Sequence, residues 1–352
     1  MSDRPSRRLE PSLRIPSRLR RHAGCDRSCN VRAVKDAARL AWVCPVHGEP
    51  LSLANSWACP QGCRYPIVDG VARFASEDSY TNGFGTQWHR WPKTQLDSYS
   101  GTTVTRDRLL ATLGDDLFEQ LAELTVLEVG CGAGRFTEVL LAEGAFVCSI
   151  DLSSAIDVNA SNCPASDRHV LAQGDAINLP LAPHQFDLVL ALGMVQHTPD
   201  SAATIRHLCS QVRPGGRIVI DHYSSGLVHR IRAARLYRAV MRRMDPDKAL
   251  ERSVRLHDRW TPRHRRAKST LAKKALVLAS PIVYFGDGWP QLDAQQKREW
   301  GVLDTYDSLT DRYKHRLSLA QVEAIFAMLP LEDTSVRMVG TVVVGTGSAR
   351  ES

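Results

Sequence analysis

Between Thr125 and Asp221, short apolar runs alternate with stretches whose apolar residues recur at helical spacing. The runs Val126 to Val129, Ala145 to Ile150, Leu188 to Leu192 and Arg217 to Ile220 predict buried strands. Strand and helix in alternation predict βαβ units and a parallel sheet, hence an α/β fold. Upstream, Arg106 to Leu121 predicts an amphipathic helix. Downstream, a basic and mostly helical stretch runs from Leu227 to about Leu278. There Leu227, Ile231, Ala234, Val240 and Met244 predict one packed face, leaving Arg230, Arg235, Arg238 and Arg242 to solvent or an anion. The chain closes with a predicted helix over Leu319 to Met328 and two strands, Ser335 to Met338 and Thr341 to Val344.

This pattern divides the chain into six parts. Residues 1–35 form a basic tail too poor in large apolar side chains to offset the entropy of ordering. Residues 36–75 form a small module of closely spaced Cys, Gly and Pro. Residues 76–123 are a connector and first helix, and 124–226 the core. Residues 227–300 are a basic helical insertion, and 301–352 carry the last helix and strands.

Composition narrows the class. The 352 residues are 43% hydrophobic and 24% charged, ordinary for a globular protein. The longest apolar run, Ala275 to Phe285, is broken by Pro281 and falls short of the roughly 20 residues a membrane span requires. No secretory leader is evident, so the expected location is the cytoplasm. In that reducing compartment the nine cysteines are expected to be thiols or metal ligands. A net charge of +7 favours an anionic partner, whether RNA, a lipid surface or a phosphorylated small molecule.

The strongest chemical signal is Val126-Leu-Glu-Val-Gly130-Cys-Gly132-Ala-Gly134-Arg-Phe, an apolar strand ending in three glycines before a helix. Glycines admit positive φ and let a ligand approach the main chain, and the helix start offers free N–H groups. A dinucleotide fingerprint requires Gly or Ala at the position held by Arg135, which argues against a pyrophosphate. A carboxylate at Glu128 would repel a pyrophosphate but suits an ammonium and a sulfonium. The segment resembles motif I of the class I S-adenosylmethionine-dependent methyltransferases. Further resemblances follow in order: Asp151 at a strand end, Gly174-Asp175-Ala176 before Leu179-Pro180, Phe186 to Gly193 running into Met194-Val-Gln-His197, and Val212-Arg-Pro-Gly-Gly216 before Asp221.

The resemblance implies a seven-stranded Rossmann-like methyltransferase sheet with a helical insertion between its fifth and sixth strands. It also implies a cofactor site of Glu128, Gly130, Cys131, Gly132, Gly134, Asp151, Leu152, Asp175, Ala176 and Gly193. Asp151 would accept the ribose hydroxyls and Asp175 the adenine amine.

Cys44-Pro-Val-His47 and Cys59-Pro-Gln-Gly-Cys63 are two pairs of soft ligands separated by a short strand-like hairpin. Four N/S ligands so spaced suit a structural zinc ion, and a unit this small has little core without one. Cys25 and Cys29 are read as free thiols of the tail. Tyr65-Pro-Ile-Val-Asp69-Gly-Val resembles the tail of the zinc-ribbon proteins that activate methyltransferases, which also raises a protein partner at this module.

Methyl transfer draws mainly on orientation, and needs a base only when the acceptor loses a proton. His222, with Asp221 and His197, is the expected catalytic group, because these residues follow central strands where open α/β sheets bind ligands. The segment from Phe84 to Asp97 resembles the lead-in of zinc-ribbon methyltransferases acting on small molecules or glycans, and is expected to fold over the cofactor. Asp304, Tyr306, Asp307, Tyr313 and His315 are further candidates for the acceptor pocket.

The expected acceptor is a small molecule, a glycan or a lipid-linked compound, possibly anionic. The alternatives are a ribosomal or transfer RNA methyltransferase, and a degenerate scaffold that binds without catalysing.

Overall fold

The computed structural model describes residues 39–75, 82–226, 231–286 and 288–351. The expected tail with Cys25 and Cys29, and the start of the insertion at Leu227, lie outside them. Four short strands come first: β1 (Ser52–Leu53), β2 (Ser56–Ala58), β3 (Arg64–Val68) and β4 (Val71–Arg73). Helices α1 (Asn82–Arg90), α2 (Asp97–Ser100), α3 (Val104–Leu113) and α4 (Asp115–Glu119) follow. The predicted helix over Arg106 to Leu121 is thus two helices, because Gly114 adopts φ 85° and ends the first.

The core then alternates as β5 (Thr125–Val129), α5 (Arg135–Ala142), β6 (Phe146–Asp151), α6 (Ala155–Asn162), β7 (His169–Gln173), β8 (Phe186–Ala191), α7 (Ser201–Cys209) and β9 (Val212–Tyr223). The insertion folds as α8 (Ala234–Met241), α9 (Pro246–Arg266), α10 (Thr270–Ala279) and α11 (Ala294–Thr310). The closing elements are α12 (Leu319–Phe326), β10 (Leu331–Val339) and β11 (Val342–Ala349). Side chains cap these helices: Asp245 with Pro246 starts α9, and Asp293 with Gln296 forms a capping box on α11.

Seven strands run β7-β6-β5-β8-β9-β11-β10, all in one direction except β11, which is antiparallel to both β9 and β10. This is the seven-stranded Rossmann-like sheet expected from the sequence, with the insertion between its fifth and sixth strands. The N-terminal strands are continuous with it. Ala72 and Arg73 of β4 pair in parallel with Ala172 and Gln173 of β7, extending the sheet to eleven strands. Trp42 stacks on Phe74 with ring centroids 5.4 Å apart and tilts against Trp57 at 5.3 Å, so the module shares the main core.

Apolar layers cover both faces of the sheet. One holds Leu127, Cys148, Ile150 and Val189, and the other Val126, Val147, Leu188 and Leu190 under α3 and α5. Alternation along each strand assigns the faces.

The insertion packs differently from its predicted face. Ala234, Tyr237, Met241 and Met244 turn inward against Ala249, Tyr306 and Leu309, while Ile231 and Val240 are exposed. Arg238 is not left to solvent either, since it pairs with Asp311 at 2.8 Å.

Candidate functional site

The loop between β5 and α5 is built from main chain. Gly130, Gly132 and Gly134 hold φ of 73°, 53° and 93°, a region that favours glycine. A Cβ on Gly134 would come within 3.0 Å of Asn159 Oδ1, so α6 packs on the loop only because that side chain is missing. The Trp88 indole of α1 covers Gly132, reaching 3.4 Å from where its Cβ would stand, and Met194 closes over Gly130. Helix α1 of the connector thus packs on this loop.

Asp151 ends β6 beside it. Its Oδ2 accepts from the Gly132 amide at 2.9 Å, and its Oδ1 from the amide and hydroxyl of Ser153 at 2.8 and 2.7 Å. Burial raises its pKa, against the pull of these donors. Gly174 donates to the Asp151 carbonyl at 3.0 Å, which brings the turn of Asp175 and the buried Ala176 alongside. Leu152 is tied to the same turn by the Gln173 amide at 3.0 Å. Asp175 is half-buried; burial raises its pKa, with His207 opposing. Cys131 is buried in the loop, its thiol pushed up by burial. Gly193, at φ 74°, faces open space at the end of β8.

Glu128 is the first departure from expectation. Its side chain turns beneath the loop into the core, where Oε2 accepts from Thr137 Oγ1 at 2.5 Å and Ser149 Oγ at 3.2 Å. Burial lifts it to about 7, so near neutrality it is not the fixed anion that the sequence suggested. Its Oε1 is buried without a partner.

The catalytic candidates are placed differently again. Asp221 accepts from Arg108 Nη2 at 2.6 Å and from the Gly193 amide at 2.5 Å, a strut across the rim. His222 corrects the sequence reading: it is fully buried on the α7 side, its Nε2 at 3.2 Å from Ser201 Oγ and its Nδ1 at 3.1 Å from the Tyr223 carbonyl. Burial lowers it to about 4, leaving an enclosed neutral ring that a reacting group does not reach. His197 is also buried, its Nδ1 at 3.3 Å from Asp311, which Arg238 and Lys314 bind as well.

What stands over the rim comes from the insertion. Asp307 on α11 accepts from the Tyr223 hydroxyl at 3.4 Å. Asp304, one turn earlier and half-buried, is pushed up to about 7 by burial and by Asp307, with Arg135 and Arg108 opposing. Tyr306, by contrast, is buried within the insertion's own core. Tyr313 and His315 stack at 6.2 Å beside Gln196.

Arg135, counted by sequence only against a dinucleotide, packs on Trp300 at 5.1 Å and bonds Thr105 Oγ1 at 3.1 Å. Burial lowers it to about 9. A cation in the first turn of a helix opposes the helix dipole, and that anomaly was its signal in the sequence.

Three of the four expected metal ligands, Cys44, His47 and Cys59, lie within 4.8 Å of one another, with Cys63 beside His47. His47 Nδ1 lies 3.6, 3.5 and 3.6 Å from the sulfurs of Cys44, Cys59 and Cys63. Tetrahedral zinc with Zn–S of about 2.3 Å and Zn–N of about 2.05 Å would separate sulfur from nitrogen by about 3.6 Å. The donor set therefore fits such an ion. Burial would raise the Cys44 thiol, but the Tyr65 hydroxyl at 3.1 Å and nearby amides outweigh it and bring it to about 6.

Residues 127–220 match the family model of a methyltransferase domain. The chain is 35% identical over 104 residues to a ubiquinone biosynthesis O-methyltransferase of Stutzerimonas stutzeri, covering 28% of this chain and 44% of that protein. Its Pseudomonas paraeruginosa counterpart is 36% identical over 107 residues, covering 29% and 45%. The chain thus spans less than half the length of these curated relatives. Among solved structures, magnesium protoporphyrin IX methyltransferase from Synechocystis PCC 6803 aligns with a TM-score of 0.42 at 16% identity, over 77% of this chain and 96% of that one. The complex of the Haloferax volcanii Trm112 methyltransferase activator with a methyltransferase aligns at 0.41 and 11%, over 76% and 98%.

Proposed function

Starting from a methyltransferase domain at residues 127–220, we propose that this protein transfers a methyl group from S-adenosylmethionine to a small-molecule, glycan or lipid-linked acceptor. The observation that carries this reading is Asp151, fixed at the end of β6 by the amide of Gly132, a loop residue whose φ of 53° favours glycine. Asp151 would receive the ribose hydroxyls, Asp175 the adenine amine and Ala176 the ring edge, with Leu152 against the base. The side-chain-free surface of Gly130, Gly132 and Gly134 and the carbonyl of Gly193 would hold the amino-acid end. The unpartnered Glu128 Oε1 is an acceptor below it.

When bound, S-adenosylmethionine supplies an electrophilic methyl group on a sulfonium. The chain's own part is to orient the acceptor and exclude water. Trp88 and Met194 close the loop, and Arg135 with Arg108 sets a positive wall. Where the acceptor loses a proton, Asp304, half-buried and near neutrality, is better suited to take it than the enclosed His222. The relatives' name as O-methyltransferases supports a small acceptor with an oxygen nucleophile.

Calorimetric titration with S-adenosylmethionine tests the reading. Micromolar binding is expected, and none at millimolar cofactor would overturn it. Labelled methyl transfer into extracts fractionated into RNA, lipid, glycan and small molecules then identifies the acceptor.

We also assign Cys44, His47, Cys59 and Cys63 to one structural zinc ion. Metal analysis of freshly purified protein should find one zinc per chain, lost in Cys59→Ser; metal-free wild type would refute the assignment.

A further inference from the structure

We propose that the insertion docks the protein on an anionic lipid bilayer through α8 and α10. The inference goes beyond the methyl-transfer reading and stands on a different surface.

Helix α10, Thr-Leu-Ala-Lys-Lys-Ala-Leu-Val-Leu-Ala, is largely apolar yet has no buried residue in its ten. Helices of that composition ordinarily bury a stripe, and a contiguous exposed apolar patch marks an interaction surface. Leu271 is 79% exposed and Val277 43%; nearby, Ile231 is 58%, Leu236 75% and Val240 54% exposed. The two helices adjoin, since the Ala233 amide donates to the Leu278 carbonyl at 2.8 Å.

Charge decides the occupant. Residues 259–286 hold seven Lys or Arg and no Asp or Glu, and residues 222–244 hold six and none. Arg242, Arg243, Arg265, Arg266, Lys273 and Lys274 are exposed. A second copy of the chain would bring the same cations to this face. Residues 1–38, with ten Lys or Arg against four Asp or Glu, are equally repelled. The occupant must therefore be anionic and must accept aliphatic side chains. Single-stranded nucleic acid is held by aromatic stacking, but Tyr237 of α8 packs inward and the exposed large side chains are aliphatic. Cations interleaved with aliphatic residues are what an interfacial helix presents to acidic headgroups and acyl chains.

The attachment would be peripheral, because no helix among the described residues is long and apolar enough to cross a membrane. It would also be connected to the rim. Met241 of α8 packs on Tyr306 and Leu309 of α11, the helix that carries Asp304 and Asp307. A bilayer-borne acceptor would thus meet the cap first.

Flotation of the full chain, without S-adenosylmethionine, on vesicles of phosphatidylcholine alone and with phosphatidylglycerol tests this. Binding is expected only to the anionic vesicles. Replacing Lys273 and Lys274 with Gln should weaken it by about 25-fold, taking about fivefold per cation. Leu236→Ser with Leu271→Ser should abolish flotation with an unchanged melting temperature, because both side chains are exposed.

Equal binding to neutral vesicles, no binding, or indifference to these substitutions would overturn the proposal. So would a single-stranded RNA probe that binds more tightly than vesicles and ignores the Leu substitutions. Because the cofactor is absent from the assay, failure here leaves the methyl-transfer reading intact, and the reverse also holds.

Discussion

On the β5, β6 and β7 side of the rim, the groups at the loop are glycine main chain and the carboxylates of Asp151 and Asp175, which have acceptor capacity to spare. On the β8 and β9 side, the side chains are committed to one another: Asp221 to Arg108 and Gly193, His197 to Asp311, and Asp307 to Tyr223. The first half is a receptor built of backbone, open to a ligand of fixed shape. The second is a cross-braced wall whose exposed chemistry comes from a helix more than seventy residues downstream of β9. The contrast accounts for how differently the two halves read from sequence.

The largest test of the contrast is Asp151→Ala. It removes the acceptor of Gly132 and Ser153 and should lower S-adenosylmethionine affinity by about a hundredfold in calorimetry, equivalent to about 2.7 kcal/mol. A loss under threefold would mean the first half is not a receptor.

Asp221→Asn probes the other half. Breaking a buried pair while leaving Arg108 charged should cost about 3 kcal/mol of stability in urea unfolding, while cofactor affinity moves less than tenfold. If affinity fell instead and stability did not, the halves would have exchanged roles.

Glu128→Gln sharpens the boundary between them. The Glu128 pKa is about 7 in the fold against 4.5 for a free side chain. The native state therefore keeps a proton that the unfolded chain releases, and wild-type stability falls as pH rises from about 4.5 to 7. The variant should be more stable than wild type at pH 8, by about 3 kcal/mol, and indistinguishable at pH 4. A constant difference across that range would show that burial does not hold the proton.

The smallest expected effect belongs to His222→Gln. Methyl incorporation into the responsive extract fraction should stay within about threefold of wild type, since a general base typically contributes far more. A drop beyond a hundredfold would restore the ring to catalysis.

The strands of the sheet were legible wherever an apolar run marked burial on both faces, as in β5, β6 and β8. Strand β7 was not predicted, because His169 and Gln173 make its ends look polar; the structure buries both, with His169 Nε2 at 3.0 Å from Ser149 Oγ. The His222 reading failed for a reason of periodicity. Sequence ended the fifth strand before Asp221 and treated the next three residues as one loop, but β9 continues through Tyr223. Alternation then turns Asp221 toward the rim and His222 to the opposite face.

The glycine loop was legible because glycine carries its meaning in one residue. Arg108 acquires its meaning only when distant elements meet, which no local pattern encodes, and Asp304 and Asp307, named as candidates, gain their partners the same way. The Cys and His cluster was legible from spacing, but the pairing of its module to the main sheet rests on two residue pairs at β4 and β7.

That short pairing has a consequence for how the molecule keeps to itself. With β4 in place, the flank of β7 offers no unpaired amides or carbonyls along Ala172 and Gln173. A chain lacking residues 39–75 would expose them as a bare edge, a template for strands of other molecules. Such a truncation should therefore self-associate into aggregates, and the Cys and His staple guards solubility as well as local shape.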